Sequence, residues 1–206
     1  MGELTSFIKS RQPVNLIIVC INVAVFIVLS FAGDTENAGF MLEHGAAFAP
    51  YVAENHEYYR LVTSMFLHFG LEHLFYNMLV LIFLGDTLEK TVGKVRYLVI
   101  YLGGGMAGNI LSVFLDMKQE EYAVSAGASG AVFAVIGALI YLVIRNKGQL
   151  KELSGRRLVL MAVLSVLQGM TSVGIDNGAH VGGLAAGFLI AFLVSGISDC
   201  FSGIKD

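Results

Sequence analysis

Charge is scarce in this chain. Asp, Glu, Lys and Arg make up 14% of its 206 residues against 56% hydrophobic residues, with a mean hydropathy of +0.73, and that balance excludes an ordinary soluble domain. The formal net charge of −3 offers no basic surface for nucleic acid, so no nucleic-acid partner is expected. Cysteine is nearly absent. Cys20 lies inside the first apolar segment and Cys200 beyond the last, so neither a disulfide framework nor a metal-ligand spacing can be built from the pair.

What is present is apolar length. The run from Val14 to Ala32 follows Lys9 and Arg11 as a signal peptide would, but it is uninterrupted and has no small-residue exit, so it is read as a membrane span. Six such spans can be drawn, at about 14–32, 65–85, 95–115, 129–145, 157–174 and 179–198. The expected fold is therefore an all-α polytopic membrane protein, a bundle of six transmembrane helices forming a single domain over 1–206, with the lipid bilayer as its solvent. Of the 13 Lys and Arg, placing the amino terminus in the cytoplasm leaves only Arg60 and Lys118 outside. By the positive-inside rule both termini are then cytoplasmic, with no soluble domain expected at either end. The stretch from Gly33 to Thr63 is outside, and its mixture of Phe40, Met41, Leu42, Phe48 and Tyr51 with five acidic side chains suits the membrane interface. Arg60 is expected to anchor this loop at head-group level, and Glu89-Lys90 to mark a cytoplasmic helix end.

The chemistry centres on Ser125-Ala126-Gly127-Ala128-Ser129-Gly130, small residues that lead into an apolar segment with no charge before Arg145. The 16 steps from Ser129 to Arg145 span roughly 24 Å, short of a hydrocarbon core of about 30 Å, so Ser129 is expected below the outer surface. Polar groups within spans are costly and thus suspected of function. His73 and Asn77 are four apart and share a helix face, and His180 opens the last span. Counted from the cytoplasmic ends, all three reach the depth of Ser129. A serine hydroxyl needs a base to become a nucleophile, and acyl transfer needs donors aimed at the oxyanion. Here His180 supplies the base, and the Ser129 N–H, His73 and Asn77 supply the donors. The one carboxylate near His180 is Asp176, read as part of an exposed turn, so a Ser-His dyad is expected rather than a triad.

These motifs, from the first span to the sixth, resemble the rhomboid intramembrane serine proteases. The resemblance rests on Tyr59-Arg60, His68…His73…Asn77, Gly127-Ala128-Ser129-Gly130, and Ala179-His180 followed by Gly183 and Gly187. It implies Ser129 as nucleophile, His180 as general base, and His73, Asn77 and Ser129 around the oxyanion. It further implies Gly127, as room for substrate backbone, and Phe133 as substrate-binding residues, and His68 as a loop holder. Tyr59 stands where the family usually has tryptophan, and Phe133 where a tyrosine often stacks on the base histidine. Single-pass membrane proteins are the implied substrates, with no cofactor and no metal, and the implied location is a prokaryotic plasma membrane.

Other classes fit less well. A zinc protease would need His-Glu-x-x-His, whereas this chain has Glu72-His73 without the second histidine. Asp86 has no partner for an aspartyl protease, and no internal repeat argues for a transporter. A non-proteolytic relative that binds or escorts membrane helices is the remaining alternative; it would be expected to lack Ser129 or His180. Substrate entry is expected at a seam between Leu167 or Met170 of the bulky fifth span and Phe75 or Met78 of the second.

Overall fold

A computed structural model describes residues 11–147, 149–150, 153–171 and 175–202. The chain runs α1 (Pro13–Ala32), α2 (Ala38–Glu43), α3 (Ala49–Ala53), α4 (Arg60–Thr63), a 3₁₀ turn (Ser64–Phe66), α5 (Gly70–Val92), α6 (Lys94–Gln119), α7 (Ser129–Arg145), α8 (Gly155–Thr171) and α9 (Asn177–Ser202). Gln149–Leu150 and Leu153–Ser154 form a minimal antiparallel pair before α8. Four helices are long and apolar enough to cross a membrane: α1, α5, α6 and the Asn177–Ser195 part of α9. Two others, α7 and α8, have 17 residues each.

The short α7 is the centre of the bundle. Every residue from Gly130 to Leu139 is buried, with α6 and α9 packed along it. Small residues set that approach: a methyl added at Gly187 would strike the Ala134 carbonyl, and one at Gly183 the Gly130 carbonyl. On α6, a methyl at Gly108 would come within 2.5 Å of the Ala179 carbonyl oxygen. In lipid, where apolar burial gives helices little reason to associate, this close backbone packing is the main source of cohesion. Outward faces are apolar, with Phe31, Val95 and Leu71 among the most exposed side chains, as suits a lipid solvent.

Helix α5 departs from the expected span in three ways. It begins at Gly70 and not near 65, because Phe69 is extended and Gly70 has φ of +72°, a conformation that interrupts the helix after the 3₁₀ turn. It also runs through Asp86 to Val92, so Asp86 lies within the helix and not at its end. Between these, Leu81–Gly85 widens into a π turn. That turn takes one side-chain donor from the start of α1 and one from just before it: Asn15 Nδ2 donates to the Leu81 carbonyl (2.8 Å), and Arg11 Nη1 to the Ile82 carbonyl (3.2 Å).

Glu89 lies in the last turn of α5, at the helix end that the sequence marked, and it is buried there: it is 1% exposed and accepts from the N–H groups of Val14 (3.2 Å) and Asn15 (2.7 Å), while Asp86 accepts from that of Gln12 (2.6 Å). First-turn amides have no partner inside their own helix, so α5 caps α1. Arg60 holds its loop, and it does so from within the protein. It is 5% exposed and donates to the carbonyls of Leu42 (2.7 Å) and Ala46 (2.9 Å) and to Glu57 (2.6 Å), pinning the loop between α1 and α5 from inside. The bond from Arg60 to Glu57, with that from Tyr59, holds the Glu57 carboxylate below its usual range. Much of this loop is buried, including Met41, Ala46, Ala49 and Val52.

Candidate active site

Ser129 is the first residue of α7 and is half-buried. Its N–H is one of the first-turn donors that a helix leaves unpaired, and no hydrogen bond to its Oγ is drawn among the described residues. The preceding strand of chain is held at successive points. Ser125 and Ala47 exchange both backbone hydrogen bonds at 2.8 Å, Gly127 N–H donates to the Ser64 carbonyl at 2.9 Å, and Ala128 N–H donates to Nε2 of His68 at 3.3 Å. His68 is 1% exposed, a loop holder set behind the site.

Gly127 has φ of +147°, which disfavours any side chain. The point where its Cβ would stand lies 2.6 Å from His73 Cε1, 2.9 Å from His73 Nε2 and 3.7 Å from Ser129 Oγ. His73, Gly127 and Ser129 therefore surround one small space. Asn77 lies a turn below His73 and is buried; its Nδ2 donates to the His73 carbonyl at 3.0 Å, which engages one amide hydrogen and leaves the other.

His180 lies in the first turn of α9 and is 7% exposed. Its ring stacks on Phe133, one turn along α7 from Ser129, with centroids 4.2 Å apart and planes 9° from parallel. The turns that carry Ser129 and His180 abut: a Cβ at Gly130 would stand 3.5 Å from the Ala179 carbonyl oxygen. Nδ1 of His180 is buried with no hydrogen-bond partner among the described residues. Its orientation comes from the stack on Phe133.

Asp176 is not the exposed turn residue that the sequence suggested. It is half-buried, and its oxygens accept from Ser112 Oγ (2.6 Å), Ser125 Oγ (2.6 Å) and Ala179 N–H (2.8 Å). The spacing Asp176-x-x-Ala179 is that of a helix N-cap, a signal available in the sequence; the two serines come from 64 and 51 residues away and left none. At the expected entry seam, Leu167 and Phe75 are exposed and Met78 is buried, while the side chain of Met170 lies outside the described residues.

Comparison with known proteins agrees with the architecture. Residues 55–197 match the Rhomboid domain. The chain is 31% identical over 189 residues to the rhomboid protease GluP of Bacillus subtilis, covering 92% of this chain and 36% of that protein. It is 32% identical over 222 residues to RHOMBOID-like protein 7 of Arabidopsis thaliana, covering 94% and 69% respectively. RHOMBOID-like protein 1 of the same plant is 35% identical over 153 residues, covering 72% of this chain and 38% of the relative. The chain thus spans about a third of GluP. An apolar helical bundle built on glycine contacts, together with a Rhomboid match over most of its length, makes this chain an integral membrane protein of the rhomboid family.

Proposed function

We propose that this chain is an intramembrane serine endopeptidase that cuts substrate transmembrane segments near the extracytoplasmic side with a Ser129–His180 dyad. The observation that carries the reading is the grouping of Ser129 Oγ, Gly127 and the His73 ring about one space, with His180 stacked on Phe133 a turn away. The proposed orientation sets both termini in the cytoplasm of a prokaryotic cell, and single-pass membrane proteins serve as substrates.

In this mechanism Ser129 Oγ bonds to the scissile carbonyl carbon while its proton passes to His180. The oxyanion is met by the Ser129 N–H and by donors from His73 and Asn77. Collapse breaks the C–N bond, and His180 returns the proton to the leaving amine. Water then attacks the Ser129 ester and gives a proton to His180; as the C–Oγ bond breaks, His180 returns that proton to Ser129 Oγ, which releases a carboxylic acid and the free serine. Both Asp176 oxygens are engaged elsewhere, which favours a dyad. A substrate helix must unwind locally, because a continuous helix hides its carbonyls in its own hydrogen bonds.

The test is to label the purified protein with a fluorophosphonate and to follow cleavage of a model membrane substrate. Labelling and cleavage are expected to vanish in Ser129→Ala, and His180→Ala and the double variant are expected to lose as much activity as either single one, since members of one catalytic unit are not additive. EDTA should leave the rate unchanged. Cleavage by Ser129→Ala, or its loss to EDTA, refutes the mechanism.

A further inference from the structure

We propose that Asp176 is a positioning residue, setting the register between the loop that carries Ser129 and the helix that carries His180. The proposal rests on the dyad reading and goes beyond it by naming what keeps the two members aligned.

The need for such a residue follows from the packing. α7 and α9 meet through Gly130, Gly183, Ala134 and Gly187, and such contacts fix how close two helices come. Farther along the seam Tyr141 of α7 interlocks edge-on with Phe188 and Phe192 of α9, but at the Ser129 end the facing residues are small, and such contacts by themselves leave the fine axial placement of the first turns to polar links. His180 is sensitive to that placement. Its Nδ1 has no partner among the described residues, so the ring is set by its overlap with Phe133 on the opposite helix.

Asp176 supplies the missing constraint. One oxygen, Oδ1, caps α9 at Ala179, the residue before His180. The other, Oδ2, holds Ser125, four residues before Ser129 and itself clamped to Ala47 by two backbone bonds. Ser112 on α6 shares that oxygen. Between the stretch 123–130 and the start of α9, the Ser125–Asp176 bond is the one side-chain hydrogen bond among the described residues. A carboxylate that accepts three bonds from three segments makes each of them stronger than its neutral equivalent. The chain thus runs from Ser129 through Ser125 and Asp176 to His180 without passing through the imidazole.

The experiment compares full-length variants in detergent or proteoliposomes, measuring the second-order rate of fluorophosphonate labelling per folded molecule, kcat and KM for a membrane substrate, and the melting temperature. Asp176→Asn keeps the cap oxygen but replaces the oxygen that holds the serines with a donor. Ser125→Ala cuts only the link toward Ser129. Misplacing reacting groups by about 1 Å lowers rates by up to about 10²-fold, so each variant should slow labelling and kcat by about tenfold. KM should hold within about twofold, because the binding surface is untouched. The double variant should be no slower than either single one, Ser125→Thr should restore the rate by keeping the hydroxyl, and Ser112→Ala should melt lower yet label at the wild-type rate. A merely structural carboxylate would lower melting in all of these and leave the rate per folded molecule alone. Wild-type labelling in Asp176→Asn or in Ser125→Ala overturns the positioning role, as does a Ser112→Ala loss equal to that of Ser125→Ala. Labelling that survives Ser129→Ala overturns the dyad itself, a result separate from these.

Discussion

The cap that Glu89 places on α1 leads to a prediction whose size can be worked out. In Glu89→Ala the N–H groups of Val14 and Asn15 lose their acceptor in a site where Asn15 is 2% and Glu89 1% exposed, so water does not replace it. A hydrogen bond to a charged group contributes about 1.5–3 kcal/mol, and two of them therefore about 3–5 kcal/mol when the bonds are unequal in length. For a chain of this size each kcal/mol moves the midpoint by about 2–4 °C, so a loss near 3 kcal/mol lowers it by about 6–12 °C. Glu89→Gln keeps one acceptor and turns a donor toward the other amide, and should fall between. The assay is thermal unfolding of purified protein in detergent, followed by circular dichroism, with labelling of Ser129 scored at a temperature where both proteins are folded. Labelling should be preserved, because the cap lies at the opposite end of α5 from His73. A Glu89→Ala midpoint within about 2 °C of wild type would refute the reasoning, since one buried and one part-buried amide would then have gone unpaired at no cost.

Asn77→Ala should lower kcat by about 10²-fold with a small change in melting, because it removes an oxyanion donor while the bond it loses, to the His73 carbonyl, lies within its own helix; wild-type turnover in a folded variant would remove Asn77 from the site. Gly183→Ala should abolish cleavage and destabilise by about 1–3 kcal/mol, because the added methyl meets the Gly130 carbonyl and forces α9 away from Ser129; a fully active variant with an unchanged midpoint would contradict the close approach. Leu167→Ala should keep or raise the rate on a membrane substrate, as expected if its exposed side chain forms part of an entry seam with α5. Undiminished cleavage when α5 and α8 are crosslinked by cysteines at their outer ends would exclude that seam.

What the sequence determined by itself is whatever depends on short stretches. Long apolar runs announce helices wherever they fold, so α1, α6 and the shorter α7 lie close to their expected limits. The Ala179, Gly183, Gly187 spacing puts small residues on one helix face, and the tight contact that such a face allows is present. Tertiary structure decided the polar partnerships. The sequence set Glu89 at a helix end, Arg60 as a loop anchor and Asp176 in a turn, but among their sequence neighbours none of the three showed its partners. Their partners are elsewhere: Glu89 pairs 74 and 75 residues away, Asp176 with Ser112 at 64 and Ser125 at 51. Where α5 starts and widens was equally hidden, because the backbone turn at Gly70 and the π turn that Asn15 and Arg11 satisfy are properties of the packed chain. A charged or hydroxylated side chain takes whichever partner the fold brings to it, and in a membrane interior an unpaired one is too costly to leave. Local pattern therefore sets the helices, and the need to satisfy buried polar groups sets how they are joined.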